Sequence, residues 1–299
     1  MGCGWCPRGT IGIEKMHELY GDTFIAVAHH CDDELAIFEE NLRPNHAPGQ
    51  PVAWLDRWRE TDPYNGDNTT LTFGIDNIWK SVADGFTPAE IDVEWEWTDE
   101  TKEIIKATST VNFVKPFENT DFRVAYMLVA DGLNKDNWYQ SNYYSGHAGE
   151  YPEEFDFLVE SPQYIFNTVF NDVVILAEAP QGIKGSLPVD IKADEPIQHT
   201  FSLRLADACN LSGENLVQDK SRLSVIAVVL DATTGKVLNA AKSLKETDSV
   251  NSVISDARPT DIILYDLTGR RVTTGYKGII IQVTTFSDGT SEIKKTMLR

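Results

Sequence analysis

The chain has 299 residues, is 41% hydrophobic and 10% aromatic, and carries a formal charge of −20 with a sequence pI near 4.6. That length fits two domains and a tail. The acidic balance excludes a phosphate-backbone partner, which requires a basic face, and disfavours anionic lipid. No stretch approaches the ~18 apolar residues of a membrane span. Four cysteines are too few for a disulfide scaffold, and no leader pattern is visible, which leaves the compartment open.

In chain order, the first feature is Cys3-Gly4-Trp5-Cys6, followed by Pro7-Arg8-Gly9. Ile13, Met16 and Tyr20 at helical spacing predict a helix over residues 7–20, opened by Pro7 and stopped at Gly21. Residues 23–28 form a short apolar run, as expected of a strand covered on both faces. A second helix is expected from Asp32 or Asp33, with Leu35, Phe38 and Leu42 on one stripe and Pro44 ending it. Residues 51–55 read as a further strand and residues 69–82 as a further helix.

Near Thr87 the pattern changes. Ile91, Val93, Trp95 and Trp97 alternate with acidic residues, which predicts a half-buried strand. The stretches 105–114, 122–130, 197–205 and 223–230 add strands, and Asp231-Ala232-Thr233-Thr234-Gly235 turns a hairpin into Val237-Leu238. Short strands at this spacing point to an antiparallel sandwich. Residues 131–168 are long, aromatic and irregular, and are expected to be an elaborated loop packed on it. After a polar linker at 246–259, the runs 261–267, 269–272 and 277–281 form a β-meander signature.

The cysteine pair carries the chemistry. A thiolate is the nucleophile of disulfide exchange, and a helix N-terminus favours the anion, lowering a thiol pKa from ~8.5 to between roughly 3.5 and 7.5. Cys3 is the expected attacking sulfur and Cys6 the resolving one, with Trp5 an aromatic surface beside them. Half of a zinc site, or a purely structural pair, remain alternatives. Zinc needs two more ligands, and His29, His30 and Cys31 form the only nearby cluster, so no metal is assigned. Pro51, opening a strand after Gly49-Gln50, is expected to be cis, as at the substrate-holding position of thioredoxin-type sites. Residues 62–68 and 131–137 lack the spacing of a calcium loop and read as turns.

Together, Cys3-Gly4-Trp5-Cys6-Pro7-Arg8-Gly9, Phe24-Ile25-Ala26-Val27-Ala28-His29, Tyr126-Met127-Leu128-Val129-Ala130-Asp131-Gly132, Gln140-Ser141-Asn142-Tyr143-Tyr144 and Gly182-Ile183-Lys184-Gly185 resemble a bacterial family. It is the family related to a 28-kilodalton outer-membrane protein. Residues 265–272 and 277–281 resemble the C-terminal β-domain of type IX secretion cargo. The resemblance implies a thioredoxin-like α/β domain at 1–86, an antiparallel β-sandwich at 87–246 and a linker with a short β-tail at 247–299. Only Met1 and Gly2 precede Cys3, so the first strand of the thioredoxin-like pattern is expected to be absent. The resemblance also implies an extracytoplasmic location: periplasm, outer membrane or cell surface.

The functional expectation is a thiol-disulfide oxidoreductase acting on protein thiols or disulfides. Cys3 and Cys6 would be catalytic, Trp5 and Pro51 would bind substrate, and no cofactor is called for. A cell-envelope protein is the expected partner. The rival is a non-enzymatic surface module in which the cysteine pair is a structural disulfide and the aromatic 138–151 stretch binds a protein or glycan.

Overall fold

A computed structural model describes residues 1–38, 49–243, 259–266, 271–273, 278–286 and 291–298. Its helices are α1 (Pro7–Tyr20), α2 (Ile75–Ala83) and α3 (Asp156–Glu160). The strands of the first unit, Met1–Thr247, are β1 (Ala53–Leu55), β2 (Arg59–Thr61), β3 (Ala89–Trp97), β4 (Ile104–Phe113), β5 (Phe122–Ala130), β6 (Tyr139–Ser141), β7 (Tyr164–Phe166), β8 (Val173–Glu178), β9 (Ile197–Arg204), β10 (Leu223–Asp231) and β11 (Val237–Ser243). The second unit, Asp248–Arg299, holds β12 (Pro259–Asp266), β13 (Arg271–Val272), β14 (Gly278–Phe286) and β15 (Ser291–Leu298).

Two antiparallel sheets, in the orders β11-β10-β5-β8 and β3-β4-β9, share one hydrophobic core and form a β-sandwich. β3 buries every second residue, so Ile91, Val93 and Trp95 enter the core while Asp92, Glu94 and Glu96 face water. β5 and β10 are buried nearly throughout, which requires cover on both faces. Leu35 and Ile37 belong to the same core, with Ile25 and Val27 packed against it, so the N-terminal segment supplies part of that cover. Tyr126 of β5 ties the sheets together. It is wholly buried, stacks on Phe201, and its hydroxyl lies 2.8 Å from Ser109 Oγ and 3.1 Å from His199 Nδ1.

α1 forms where the sequence predicts it. Pro7 needs no hydrogen-bonded N–H in the first turn, and Gly21 (φ 53°) ends the helix, its N–H donating to His17 O. Its buried stripe is Gly9, Gly12 and Met16, and the small residues let Pro63 and Tyr64 approach. A second, smaller core lies there, built from Tyr64, Tyr144, Phe155 and Leu158, with Ile11, Phe73 and Ile165 against it.

Three expectations need correction. Residues 23–28 do not form a strand: Ala28 alone bridges Val173 in parallel, its N–H donating to Asp172 O, beside the edge strand β8. The chain then turns through Asp32, in the left-handed region at φ 58°, which no continuing strand can accommodate. The second expected helix is absent over 32–38, because the Asp33 carboxylate caps a turn by accepting Leu35 N–H and Ile37 bridges Asn210. Its remaining residues lie outside the described ones. The third helix begins at Ile75 rather than near Thr69, since Leu71 and Phe73 are drawn to the smaller core.

The 131–168 stretch is more ordered than a loop. It contains the β6–β7 pair, with Tyr139 opposite Phe166 and Ser141 opposite Tyr164, as well as α3. In the second unit the four strands form one antiparallel sheet in the order β13-β12-β14-β15. The expected linker at 246–259 falls almost entirely outside the described residues.

Candidate functional site

Cys6 sits at the residue before α1, and Cys3 lies in the turn that leads to it, its carbonyl accepting Cys6 N–H at 3.3 Å. The two sulfurs are bonded, with Cα atoms 5.4 Å apart. Both cysteines are half-buried and Trp5, between them, is 43% exposed. The disulfide therefore lies at an accessible turn rather than in a core.

The turn is held by a partner that is not apparent from the sequence. Gln140 Nε2 donates to Cys3 O at 2.8 Å, and Tyr143 N–H donates to Gly4 O at 3.0 Å. Ser141 N–H donates to Met1 O, and the Tyr144 hydroxyl reaches Trp5 O at 3.4 Å. Four carbonyls of residues 1–5 are thus satisfied by residues 140–144. Trp5 packs edge-on against both Tyr143 and Tyr144, with ring centroids 5.4 Å apart in each pair. Gly4 is required by this contact, since a Cβ there would lie 2.4 Å from the Tyr143 ring.

Arg8 does not present a bare positive charge to the sulfurs. Its Nε and Nη2 contact Asp62 Oδ2 at 2.9 and 2.7 Å. Burial opposes its charge, but hydrogen bonds to Asp62 and Tyr144 outweigh this and raise its pKa. Asp62 Oδ1 in turn accepts the N–H groups of Tyr64 and Asn65, so the 62–68 turn is organised by a carboxylate already engaged with protein donors. Asp131 likewise accepts Asp172 N–H.

The Gln50–Pro51 peptide is cis, as the sequence predicts. Pro51 packs against the first turn of α1, where a Cβ on Gly9 would stand 3.5 Å from Pro51 Cβ. An open cleft of about 400 Å³ is lined by Arg8, Gln50, Pro51, Val52 and Thr61 among others. Pro51 therefore flanks the helix that carries Cys6, and Trp5 stands on the side of residues 143–144.

His29, His30 and Cys31 are engaged within the protein: His30 Nδ1 lies 2.8 Å from Asp33 Oδ2, and Cys31 Sγ lies 3.7 Å from His29 Nδ1. Among the described residues, no group of three or more His, Cys, Asp or Glu side chains is placed to hold a metal ion. Cys31 and Cys209 are half-buried thiols. Among the described residues no helix is long and apolar enough to cross a membrane.

Two comparisons, with protein-family models and with curated protein sequences, return no match. Among solved structures, the fold is similar to that of HBP35 of Porphyromonas gingivalis, at 15% sequence identity and a TM-score of 0.51, over 99% of this chain and 95% of that one.

Proposed function

We propose that this chain is an exported cell-envelope protein whose Cys3–Cys6 pair exchanges disulfides with protein thiols, its N-terminal segment being a thioredoxin-like domain. The observation that supports this best is the closed Cys3–Cys6 pair at a half-exposed turn entering α1. In the oxidised form, a client thiolate attacks one of the two sulfurs and forms a mixed disulfide. A second client thiolate then displaces it, so the client gains a disulfide and Cys3 and Cys6 become thiols. In the reverse direction Cys3 attacks a client disulfide and Cys6 resolves the adduct, leaving the client with two thiols. Trp5 and Pro51 are the residues offered to the client backbone. The extracytoplasmic location rests on the sequence resemblance carried by the segments quoted between Cys3 and Gly185, and the suggestion that the β-meander is a sorting domain rests on residues 265–272 and 277–281.

Insulin reduction driven by a small dithiol tests the activity in the full chain. The wild type is expected to accelerate it and Cys3→Ser to abolish the acceleration; an indistinguishable pair of rates rejects the oxidoreductase. One observation favours a second reading. The carbonyls of Met1, Cys3, Gly4 and Trp5 are all bound by residues 140–144. A turn so restrained fits a structural disulfide in a non-enzymatic surface module, the result an inactive wild type supports.

A further inference from the structure

The segment that holds the Cys3–Cys6 turn is itself anchored from within. Asn142 is wholly buried, and its polar groups are engaged on three sides. Its N–H donates to Gln163 O, its Nδ2 to Leu158 O at 2.6 Å and Pro162 O at 3.2 Å, and its Oδ1 accepts Tyr144 N–H at 3.1 Å. On one side of it, Gln140 pairs with Ile165 in the β6–β7 ladder; on the other, Tyr144 is 1% exposed and belongs to the smaller core. Residues 140–144 are therefore a fixed strap. Gln140 Nε2 is shared between Cys3 O at 2.8 Å and Met1 O at 3.3 Å. Cys3 O also accepts Cys6 N–H, so one carbonyl ties the strap to both ends of the disulfide turn.

A fixed backbone shifts the equilibrium between two thiols and a disulfide. Closing a ring in a free turn costs the conformational entropy of the residues it orders. Here the strap already orders them, so the open form keeps its thiols side by side and closure is favoured. The opposing influence, stabilisation of a thiolate, is limited at this helix start. Pro7 offers no N–H, the Gly9 N–H is taken by Cys6 O at 2.8 Å, and the Arg8 guanidinium is bound to Asp62. A dithiol becomes a strong oxidant when its reduced form is stabilised. This turn is built the other way.

We propose that Gln140, set by Asn142, is a positioning residue of the Cys3–Cys6 pair, and that the 140–144 strap biases the pair toward the closed disulfide. The site is thereby poised to give electrons to client disulfides rather than to withdraw them from client thiols. That consequence rests on the oxidoreductase reading, but the bias itself does not. The coupling is reciprocal, so closing the disulfide also tightens the strap.

The test equilibrates the full chain in graded mixtures of dithiothreitol and its cyclic disulfide, with thiols counted by alkylation and intact mass. In this exchange the Cys3–Cys6 bond breaks and the reagent's ring disulfide forms, while two electrons and two protons pass to the protein. Gln140→Met keeps the side-chain length and removes the donor. It is expected to make the disulfide about tenfold easier to reduce, a shift of about 30 mV. Urea unfolding of both redox states separates positioning from a merely structural role. Positioning lowers the stability of the oxidised form more than that of the reduced form, whereas a structural role lowers both equally and overturns the proposal. A second measurement needs no variant, should Gln140→Met fail to fold: reduction of the wild type is expected to quicken amide exchange at Ser141 and Tyr143 severalfold. An unchanged equilibrium in Gln140→Met, or equal exchange at those two amides in both wild-type states, overturns the strap. Reduced glutathione in about hundredfold excess over its disulfide is expected to leave the wild-type pair closed, and opening there overturns the direction. Insulin reduction is read separately. A strap-biased pair that leaves insulin oxidised refutes the redox reading alone, and a chain that reduces insulin with an equilibrium indifferent to Gln140→Met refutes the strap alone.

Discussion

At the scale of single residues, Gly12 is the tightest point of the site's foundation. A Cβ at this position would lie 2.0 Å from Pro63 O and 3.3 Å from Tyr64 Cα. Those are backbone atoms, and moving them carries the wholly buried Tyr64 out of the smaller core. Gly12→Ala is therefore expected to cost about 1–3 kcal/mol, as overpacking does, read as a lower urea midpoint at unchanged slope. Gly4 makes an instructive contrast. There the obstacle is the Tyr143 ring, on a side chain 56% exposed and able to swing into solvent. Gly4→Ala is expected to cost less than Gly12→Ala while detaching Tyr143 from Trp5, with a weaker near-ultraviolet circular dichroism signal as its mark. Equal losses in the two variants would mean that α1 and the 63–64 segment yield more easily than their backbone packing implies.

At the scale of elements, α1 is pinned at mid-length by a charged chain of contacts. Lys15 Nζ lies 2.7 Å from Glu154 Oε1, which also accepts the Tyr64 hydroxyl at 2.5 Å. The hydrogen bonds from Lys15 and Tyr64 outweigh burial and lower the Glu154 pKa to about 2. An unfolded glutamate titrates near 4.3, so the folded form binds its proton less readily. The stabilisation is therefore complete above that unfolded value and is lost as pH falls through about 2. Wild type is expected to melt above Glu154→Gln near neutral pH, with the gap shrinking below pH ~4.3 and closing near pH ~2; a gap independent of pH would remove Glu154 from this role. The same elements show what the sequence discloses. β3 is legible because water on one face forces alternation, and α1 is legible because Pro7 and Gly21 bracket one helical stripe. β8 escapes notice because Val173, Val174, Ile175 and Leu176 are all buried and carry no period. Residues 23–28 have the same composition yet pair only at Ala28, since partner edges and turns are not written in a local run. Cys3, Cys6 and Pro51 can be singled out by motif, but Gln140 and Tyr143 act through an amide and a backbone N–H, which leave no pattern.

At the scale of the first unit, one carboxylate joins the cysteine-bearing helix to the sandwich. Asp172, 6% exposed, meets His17 Nε2 of α1 at 2.9 Å and Lys242 Nζ of β11 at 3.0 Å. Its N–H donates to Asp131, and its carbonyl receives Ala28. The Lys242 side chain is only 11% exposed, so its ammonium depends on this partner far more than a surface lysine would. Asp172→Asn is the discriminating change because asparagine tolerates the left-handed backbone found there, φ 54°. It keeps the shape and removes the charge. The expected loss is about 2 kcal/mol, the scale of a hydrogen bond to a charged group, with faster amide exchange appearing together in α1 and β11. Substituting Lys242→Met in the same chain should recover part of it, because an apolar side chain does not miss a counter-ion. If instead exchange quickened in β11 alone, α1 would be opening independently of the sandwich. The Cys3–Cys6 turn would then ride on a locally unfolding element rather than on the main core, and its restraint would come from residues 140–144 alone.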